Sequence, residues 1–197
     1  MSLDKTGCTV SAEHQAFLLT LAKGSIRHGL NKGKPIPIEM DELPLELTVK
    51  RATFVTLEKK GALRGCIGCL EAVRPLAADI AANAYAAAFR DPRFPPVAEP
   101  EIDELEIHLS LLTPAEPIAF SSEADLISQL VPEIDGLILE EGPMRGTFLP
   151  SVWETLPEPE AFIRHLKRKA GLPAQYWSTT LKIYRYRSET IGKRRDN

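Results

Sequence analysis

The segment GALRGCI at residues 61–67 has a counterpart, GPMRGTF, at residues 142–148, which lies 81 positions further along the chain. The two segments share Gly, Arg and Gly at matching positions, and they have apolar residues at two more. Each follows a run of strand formers, ATFVTL at 52–57 and GLILEE at 136–141. Two such runs joined by a short turn that contains glycine are typical of a β-hairpin. The sequence therefore predicts two related hairpins, which indicate an internal duplication.

Helix and strand patterns follow the two hairpins in the same order. After the first hairpin, residues 76–90 are rich in Ala without a helix breaker, and residues 105–111 alternate apolar and polar side chains. After the second hairpin, a helix is predicted at about 160–170 and a strand at 181–187. Ala favours helix, and strict alternation favours a half-buried strand. The matching order strengthens the interpretation as a duplication.

These patterns predict an α+β fold built from duplicated hairpin–helix–strand units, at about 48–113 and 134–188. We expect the units to pair into one mainly antiparallel sheet flanked by helices. A further helix is predicted to begin after Ser11, a residue type that caps helix N-termini, and to end by Gly33.

The composition is that of an ordinary globular protein, with 44% hydrophobic and 26% charged residues among 197. No apolar run reaches the roughly 18 residues that a membrane helix needs. We expect no membrane association and no secretory signal, and three cysteines do not form a disulfide framework. These features favour a cytoplasmic location.

Ten Lys and Arg residues lie between 161 and 197, against two acidic residues. This basic C-terminal segment leaves open an association with nucleic acid, although the chain as a whole is acidic.

Three motifs together resemble the AMMECR-one domain family: LRGCIG at 63–68, DPRFPPV at 91–97 and LLTP at 111–114. The resemblance extends over about residues 11–189, so 1–197 is interpreted as one family domain. It implies an α+β fold made by duplication and no settled chemistry. The resemblance to system protein A of the AmmeMemoRadiSam grouping implies a Memo-like protein and a radical SAM protein as partners.

The duplication also selects candidate functional residues, because a feature present in only one copy is not required by the shared fold. Cys66 has Thr147 as its counterpart, and the segment at 91–97 has none in the second half. Arg64 is expected to project from the same strand face as Cys66. The predicted functional patch consists of Arg64, Gly65, Cys66, Gly68, Arg93 and Phe94.

Each candidate has a structural alternative. Cys66 is either a reactive thiol or a small buried core residue. Arg93 and Phe94 either form a recognition surface, or Phe94 fills the core while Arg93 pairs with an acidic neighbour.

Metal and dithiol chemistry are not expected from the sequence. Cys66 and Cys69 are spaced i, i+3 on a predicted strand and should point to opposite faces. The histidines are scattered singly, so we expect no metal and no cofactor. The histidine positions are His14, His28, His108 and His165.

Three functions follow from these observations. The first is a binding or accessory component that acts with the Memo-like and radical SAM partners. The second is a thiol-dependent enzyme that uses Cys66 beside Arg64. The third is a nucleic-acid-associated protein that binds through the basic C-terminal segment. Whether the chain is an enzyme is left open.

Overall fold

The structure, a computed structural model, describes residues 10–192 and contains α-helices and antiparallel strands. The α+β prediction is confirmed. The helices are α1 (Ala12–Lys32), α2 (Leu45–Thr48), α3 (Leu76–Phe89), α4 (Glu123–Ser128) and α5 (Pro159–Lys169). The strands are β1 (Thr53–Lys59), β2 (Ala62–Gly68), β3 (Leu105–Leu112), β4 (Glu116–Pro117), β5 (Gly136–Glu141), β6 (Met144–Phe148), β7 (Lys182–Tyr186) and β8 (Ser188–Ile191). Short 3-10 helices occupy Met40–Glu42, Glu99–Glu104 and Pro150–Glu154. None of the described helices is both long and apolar enough to span a bilayer.

The strands form two four-stranded sheets, in the orders β2-β1-β3-β8 and β4-β7-β5-β6, where the sequence predicted one continuous sheet. The chain divides accordingly into two compact units, one containing residues 113–188 and the other the described residues on either side. Each unit has its own hydrophobic core. Two sheets form because the helices of each unit cover one face of that unit's own sheet. Each sheet therefore has a separate hydrophobic core.

The first unit packs β1 and β3 against α1 and α3. Along β1, Thr53, Val55 and Leu57 are buried while the residues between them are half-buried, which is the period-two pattern of a strand. Helix α1 begins where the Ser11 side chain accepts a hydrogen bond from the backbone N–H of His14, as predicted. It ends at Gly33, whose φ of 66° is left-handed and favours glycine.

The second unit packs β5 and β7 against α5. Trp153 stacks on Phe162 with ring centroids 3.8 Å apart, and the Trp153 indole N–H donates to the carbonyl of Asp135 at 2.7 Å. Lys167 of α5 is fully buried, and its ammonium donates to Glu123 at 2.7 Å. A buried cation thus lies within the second unit and is paired with a carboxylate nearer the surface.

The duplicated glycines have the same structural role in both units. A Cβ on Gly65 would lie 2.2 Å from the carbonyl oxygen of Ala87 in α3. A Cβ on Gly146 would lie 2.9 Å from Ala170, the residue that ends α5. In both units the second strand of the hairpin approaches a helix more closely than any side chain permits. The repeated glycine is thus a requirement of packing.

Candidate functional site

The candidate site lies on the face of the first sheet that is turned away from the core of its unit. Because side chains alternate along a strand, Thr56 and Glu58 of β1 occupy the face opposite Val55 and Leu57. In the register of the sheet, Thr56 is directly opposite Cys66 of β2 on one side and His108 of β3 on the other. We call this surface the polar face; its members are Thr56, Glu58, Cys66, Glu106 and His108.

Cys66 carries a free thiol that is half-buried on the polar face. Its Sγ lies 3.3 Å from the hydroxyl oxygen of Thr56, so the two side chains form a hydrogen bond across the strands. Cys69, the other free cysteine of the described residues, follows β2, and its sulfur accepts a bond from the backbone N–H of Glu71 at 3.3 Å. Cys66 is thus the thiol that belongs to the polar face.

Asp91 fixes the backbone around Cys66. This carboxylate is buried, and it accepts a 2.8 Å hydrogen bond from the backbone N–H of Cys66. It also accepts bonds from the Arg93 guanidinium, from Nε at 2.9 Å and from Nη2 at 2.7 Å. The bonds from the Arg93 side chain are the main reason that the pKa of Asp91 falls well below its usual range; the Cys66 N–H adds to the effect, and burial opposes it.

Arg93 is the cationic neighbour of Cys66. Its Nη2 reaches the carbonyl oxygen of Cys66 at 3.3 Å, and its guanidinium lies 5.5 Å from the centre of the Phe94 ring. The Asp91 carboxylate raises the pKa of Arg93, and the Cys66 side chain contributes a smaller increase. About half of the Arg93 side chain is exposed. The guanidinium therefore lies at the edge of the polar face, beside the thiol.

Arg64 has a different role from the predicted one. The pairing of β1 with β2 is irregular at Leu57 and Glu58, so Arg64 falls in a β-bulge and is paired with neither. Its guanidinium donates to both carboxylate oxygens of Glu101, at 3.1 and 3.0 Å. It also donates to the carbonyl of Pro95 at 2.9 Å.

The contacts of Arg64 connect strand β2 to the loop at 91–97. The bonds from Arg64 are the largest of the causes that lower the pKa of Glu101 to about 2. The guanidinium that neighbours Cys66 is consequently that of Arg93, and Arg64 holds the loop that carries Arg93.

A family model described as AMMECR1 matches residues 19–191 of the chain. The chain belongs to the AMMECR1 family. It is 38% identical to a protein of Methanothermobacter thermautotrophicus over 186 residues, which cover 91% of this chain and 94% of that one. It is 44% identical to a protein of Thermotoga maritima over 156 residues, 77% of this chain and 84% of that one.

A solved structure has the same fold. The crystal structure of an uncharacterized protein from Pyrococcus horikoshii superposes with a TM-score of 0.81 at 36% identity, over 92% of both chains. The predicted family is confirmed, and the matched region covers all of the second unit and most of the first.

The remaining predicted residues of this AMMECR1 domain have identifiable contacts. A Cβ on Gly68 would lie 2.3 Å from both the ring of Phe54 and the carbonyl of Thr53, so glycine makes room for that ring. Phe94 is half-buried beneath Arg93 and does not join the core of its unit. Arg93 pairs with an acidic neighbour, as one of the two alternatives predicted.

Several residues of the basic C-terminal segment are bound within their own unit. Lys167 is buried against Glu123, while Arg185 and Arg187 both approach the buried carboxylate of Asp135 to 3.5 Å. The basic residues Lys193, Arg194 and Arg195 lie outside the described residues.

Two parts of the site were missing from the predicted patch. Thr56 was not selected because a threonine in a strand is ordinary, and only the register places it opposite Cys66. Asp91 lies within the DPRFPPV segment, but the sequence reasoning gave it no functional role. A signal for Asp91 was nevertheless present, since an acidic residue two positions before an arginine in a proline-rich loop can form a local ion pair.

Proposed function

We propose that this AMMECR1 protein is a thiol-dependent enzyme in which Cys66 is the nucleophile. The observations that support the proposal are the 3.3 Å contact of the Cys66 thiol with the Thr56 hydroxyl and the 3.3 Å contact of the Arg93 guanidinium with the carbonyl oxygen of the same cysteine. A hydroxyl donor and a cation both favour the charged form of a sulfur, and the thiolate is the form that attacks an electrophile.

The surroundings of Cys66 also limit the reaction. No imidazole or carboxylate among residues 10–192 forms a hydrogen bond with Sγ. His108 is two strands away, about 10 Å between backbones at the usual strand spacing. The thiol proton therefore leaves to solvent and not to a fixed base. Attack on an electrophilic carbon that carries its own leaving group, as in acyl or alkyl transfer, fits this arrangement.

Alkylation by iodoacetamide tests the proposal, with each modified cysteine identified by mass spectrometry. We expect Cys66 in the folded chain to react several-fold faster near neutral pH than the same cysteine in an unfolded peptide. Cys69 is an internal control, because among residues 10–192 its sulfur bonds only to the backbone N–H of Glu71. A rate at Cys66 no higher than that of the unfolded peptide would reject the nucleophile.

We also propose that the protein works with partners, the Memo-like and radical SAM proteins that the family resemblance implies. The lack of a described base bonded to Cys66 supports this second role, since a partner could supply the missing catalytic group. Calorimetry and co-purification with both proteins test it, with the Cys66→Ser variant showing whether the thiol is needed. Absence of binding in both assays would remove the partner role and leave thiol reactivity unaffected.

Two further interpretations stay predictions. The cytoplasmic location rests on composition and cysteine usage. Association with nucleic acid through the basic C-terminal segment predicts an affinity that falls steeply with salt. Filter binding of single-stranded RNA at increasing salt would measure it, and undetectable or salt-insensitive binding would exclude it.

A further inference from the structure

The polar face contains a group of metal-ligating side chains that the thiol chemistry does not use. Glu58, Glu106 and His108 each offer one donor atom, and these atoms lie within 4.8 Å of one another. Glu58 and Glu106 are directly opposite each other on β1 and β3. His108 lies two positions from Glu106 on the same strand and therefore on the same face.

Among the described residues, the two glutamates have no lysine or arginine partner. Like charges directly opposite on neighbouring strands destabilise a sheet. Within residues 10–192, neither carboxylate forms an ion pair with a lysine or an arginine, and Glu58 meets only His108. The adjacent Lys59 is bound to Glu101 and Glu104 instead. The pair therefore presents unbalanced negative charge that a bound cation would neutralise.

The geometry of His108 and Glu58 is close to that of two ligands of one ion. Nε2 of His108 and Oε2 of Glu58 are 3.3 Å apart, longer than the 2.7–2.9 Å of a strong charged hydrogen bond. Two ligands held at about 2.1 Å from a tetrahedral metal lie roughly 3.4 Å from each other. The other ring nitrogen, Nδ1, is buried and has no hydrogen-bond partner among the described residues. Thus the imidazole is not committed to another network.

We propose that Glu58, Glu106 and His108 bind a divalent transition-metal ion. One imidazole nitrogen and two carboxylate oxygens suit Zn²⁺, Mn²⁺, Fe²⁺ or Co²⁺ better than Ca²⁺ or Mg²⁺, which prefer oxygen ligands alone. Three protein ligands leave a coordination position open for water or a substrate atom. Ligands on one metal at these bond lengths lie no more than about 4.2 Å apart, so small side-chain rotations would close the group around an ion.

Sequence reasoning predicted no metal because His108 stands alone in the chain. The register of β1 against β3 brings Glu58, 50 positions earlier, to the imidazole. The proposal is separate from the thiol function, because Cys66 lies beyond Thr56 and is not one of the three ligands.

Metal titration of the purified, chelator-treated chain tests the proposal directly. We expect one Zn²⁺ per chain by calorimetry, and a rise in melting temperature with Zn²⁺ that Mg²⁺ does not reproduce. Glu106→Gln and His108→Gln should each weaken Zn²⁺ binding by at least about tenfold. Glu99→Gln is the matched control, because that exposed glutamate of the same unit lies outside the group, and it should bind Zn²⁺ like the parent.

Two further readouts separate a metal site from a loss of folding or from binding to cysteine. Without metal, Glu106→Gln should melt at a higher temperature than the parent, because it removes the repulsion from Glu58. Cys66→Ser should keep full Zn²⁺ affinity. Equal Zn²⁺ affinity of the parent and both ligand variants would overturn the proposal, as would a thiolate-to-cobalt charge-transfer band on Co²⁺ binding.

Discussion

Replacing Gly65 with alanine should destabilise the first unit strongly, because the new methyl group meets helix backbone. The added Cβ would lie 2.2 Å from the carbonyl oxygen of Ala87 and 3.1 Å from its carbonyl carbon. Contacts of this kind between carbon and oxygen are essentially never shorter than 3 Å, so strand and helix must separate by about 1 Å. Both of these Ala87 atoms belong to the helix backbone, so neither can move aside as the end of a flexible side chain could.

The expected magnitude combines two opposing effects. Overpacking of a core costs about 1–3 kcal/mol, and the upper end applies here because backbone must move. Alanine also restricts the unfolded chain more than glycine does. Where the native φ suits alanine, this raises the free energy of unfolding by about 0.5–1 kcal/mol. The net loss for Gly65→Ala is therefore about 2 kcal/mol of unfolding free energy. For a chain of 197 residues this corresponds to a fall in melting temperature of about 4–8 °C.

Urea denaturation followed by circular dichroism at helix wavelengths measures this effect. Tryptophan fluorescence is not suitable, because both tryptophans lie in the second unit and would report on that unit. Gly24→Ala is the matched control. Gly24 lies inside α1 with nothing within 4 Å of an added Cβ, so the same change should stabilise the chain by about 0.5–1 kcal/mol. Equal stability of Gly65→Ala and the parent would refute the close strand–helix packing.

Three other predictions follow from contacts in the two units. Gly146→Ala should cost about 1 kcal/mol, less than Gly65→Ala, because the nearest atoms lie at 2.9 Å; urea denaturation compares the two. Glu101 has a pKa of about 2 in the folded chain, against about 4.3 for an unfolded glutamate. Its ionised form therefore stabilises the fold fully above about pH 4.3, and this stabilisation is lost as the pH falls toward 2. Glu101→Gln should reduce this acid sensitivity in melting curves recorded from pH 5 to 2, and an unchanged pH dependence would contradict the bond to the guanidinium. Glu123→Ala should lower the free energy of unfolding by about 2 kcal/mol, because it leaves the buried Lys167 ammonium unpaired. Lys167→Met should stay within about 1 kcal/mol of the parent. If denaturation shows the reverse order, this reasoning is wrong.

The local elements could be predicted from the sequence because their signals lie within short windows. The serine before α1, the alanine run of α3 and the two glycine-containing hairpins each indicate structure without reference to distant residues. The division into two sheets could not be predicted in this way. It depends on which apolar faces each helix covers, and on the short strands β4 and β8 that extend the two sheets.

The candidate site shows the same limit at the scale of single residues. Cys66 and Arg93 were selected because they break the symmetry of the duplication, and the structure brings them together. Arg64 was assigned to the same strand face as Cys66, but the bulge opposite Leu57 and Glu58 changes the alternation and directs Arg64 to Glu101. A single extra residue in one strand reverses such a prediction, and the sequence gives no sign of it.

The proposed function depends on the Arg93 guanidinium increasing the reactivity of the Cys66 thiol. The most direct test is the second-order rate constant for iodoacetamide at Cys66 in the parent, in Arg93→Gln and in Arg90→Gln, where Arg90 lies over the Tyr85 ring. Because about half of the Arg93 side chain is exposed, its charge is screened nearly as in bulk water, where a cation about 4 Å away contributes about 1 kcal/mol, or about fivefold in rate. We predict this fall for Arg93→Gln and no change for Arg90→Gln. An unchanged rate in folded Arg93→Gln, or an equal fall in both variants, would contradict the claim.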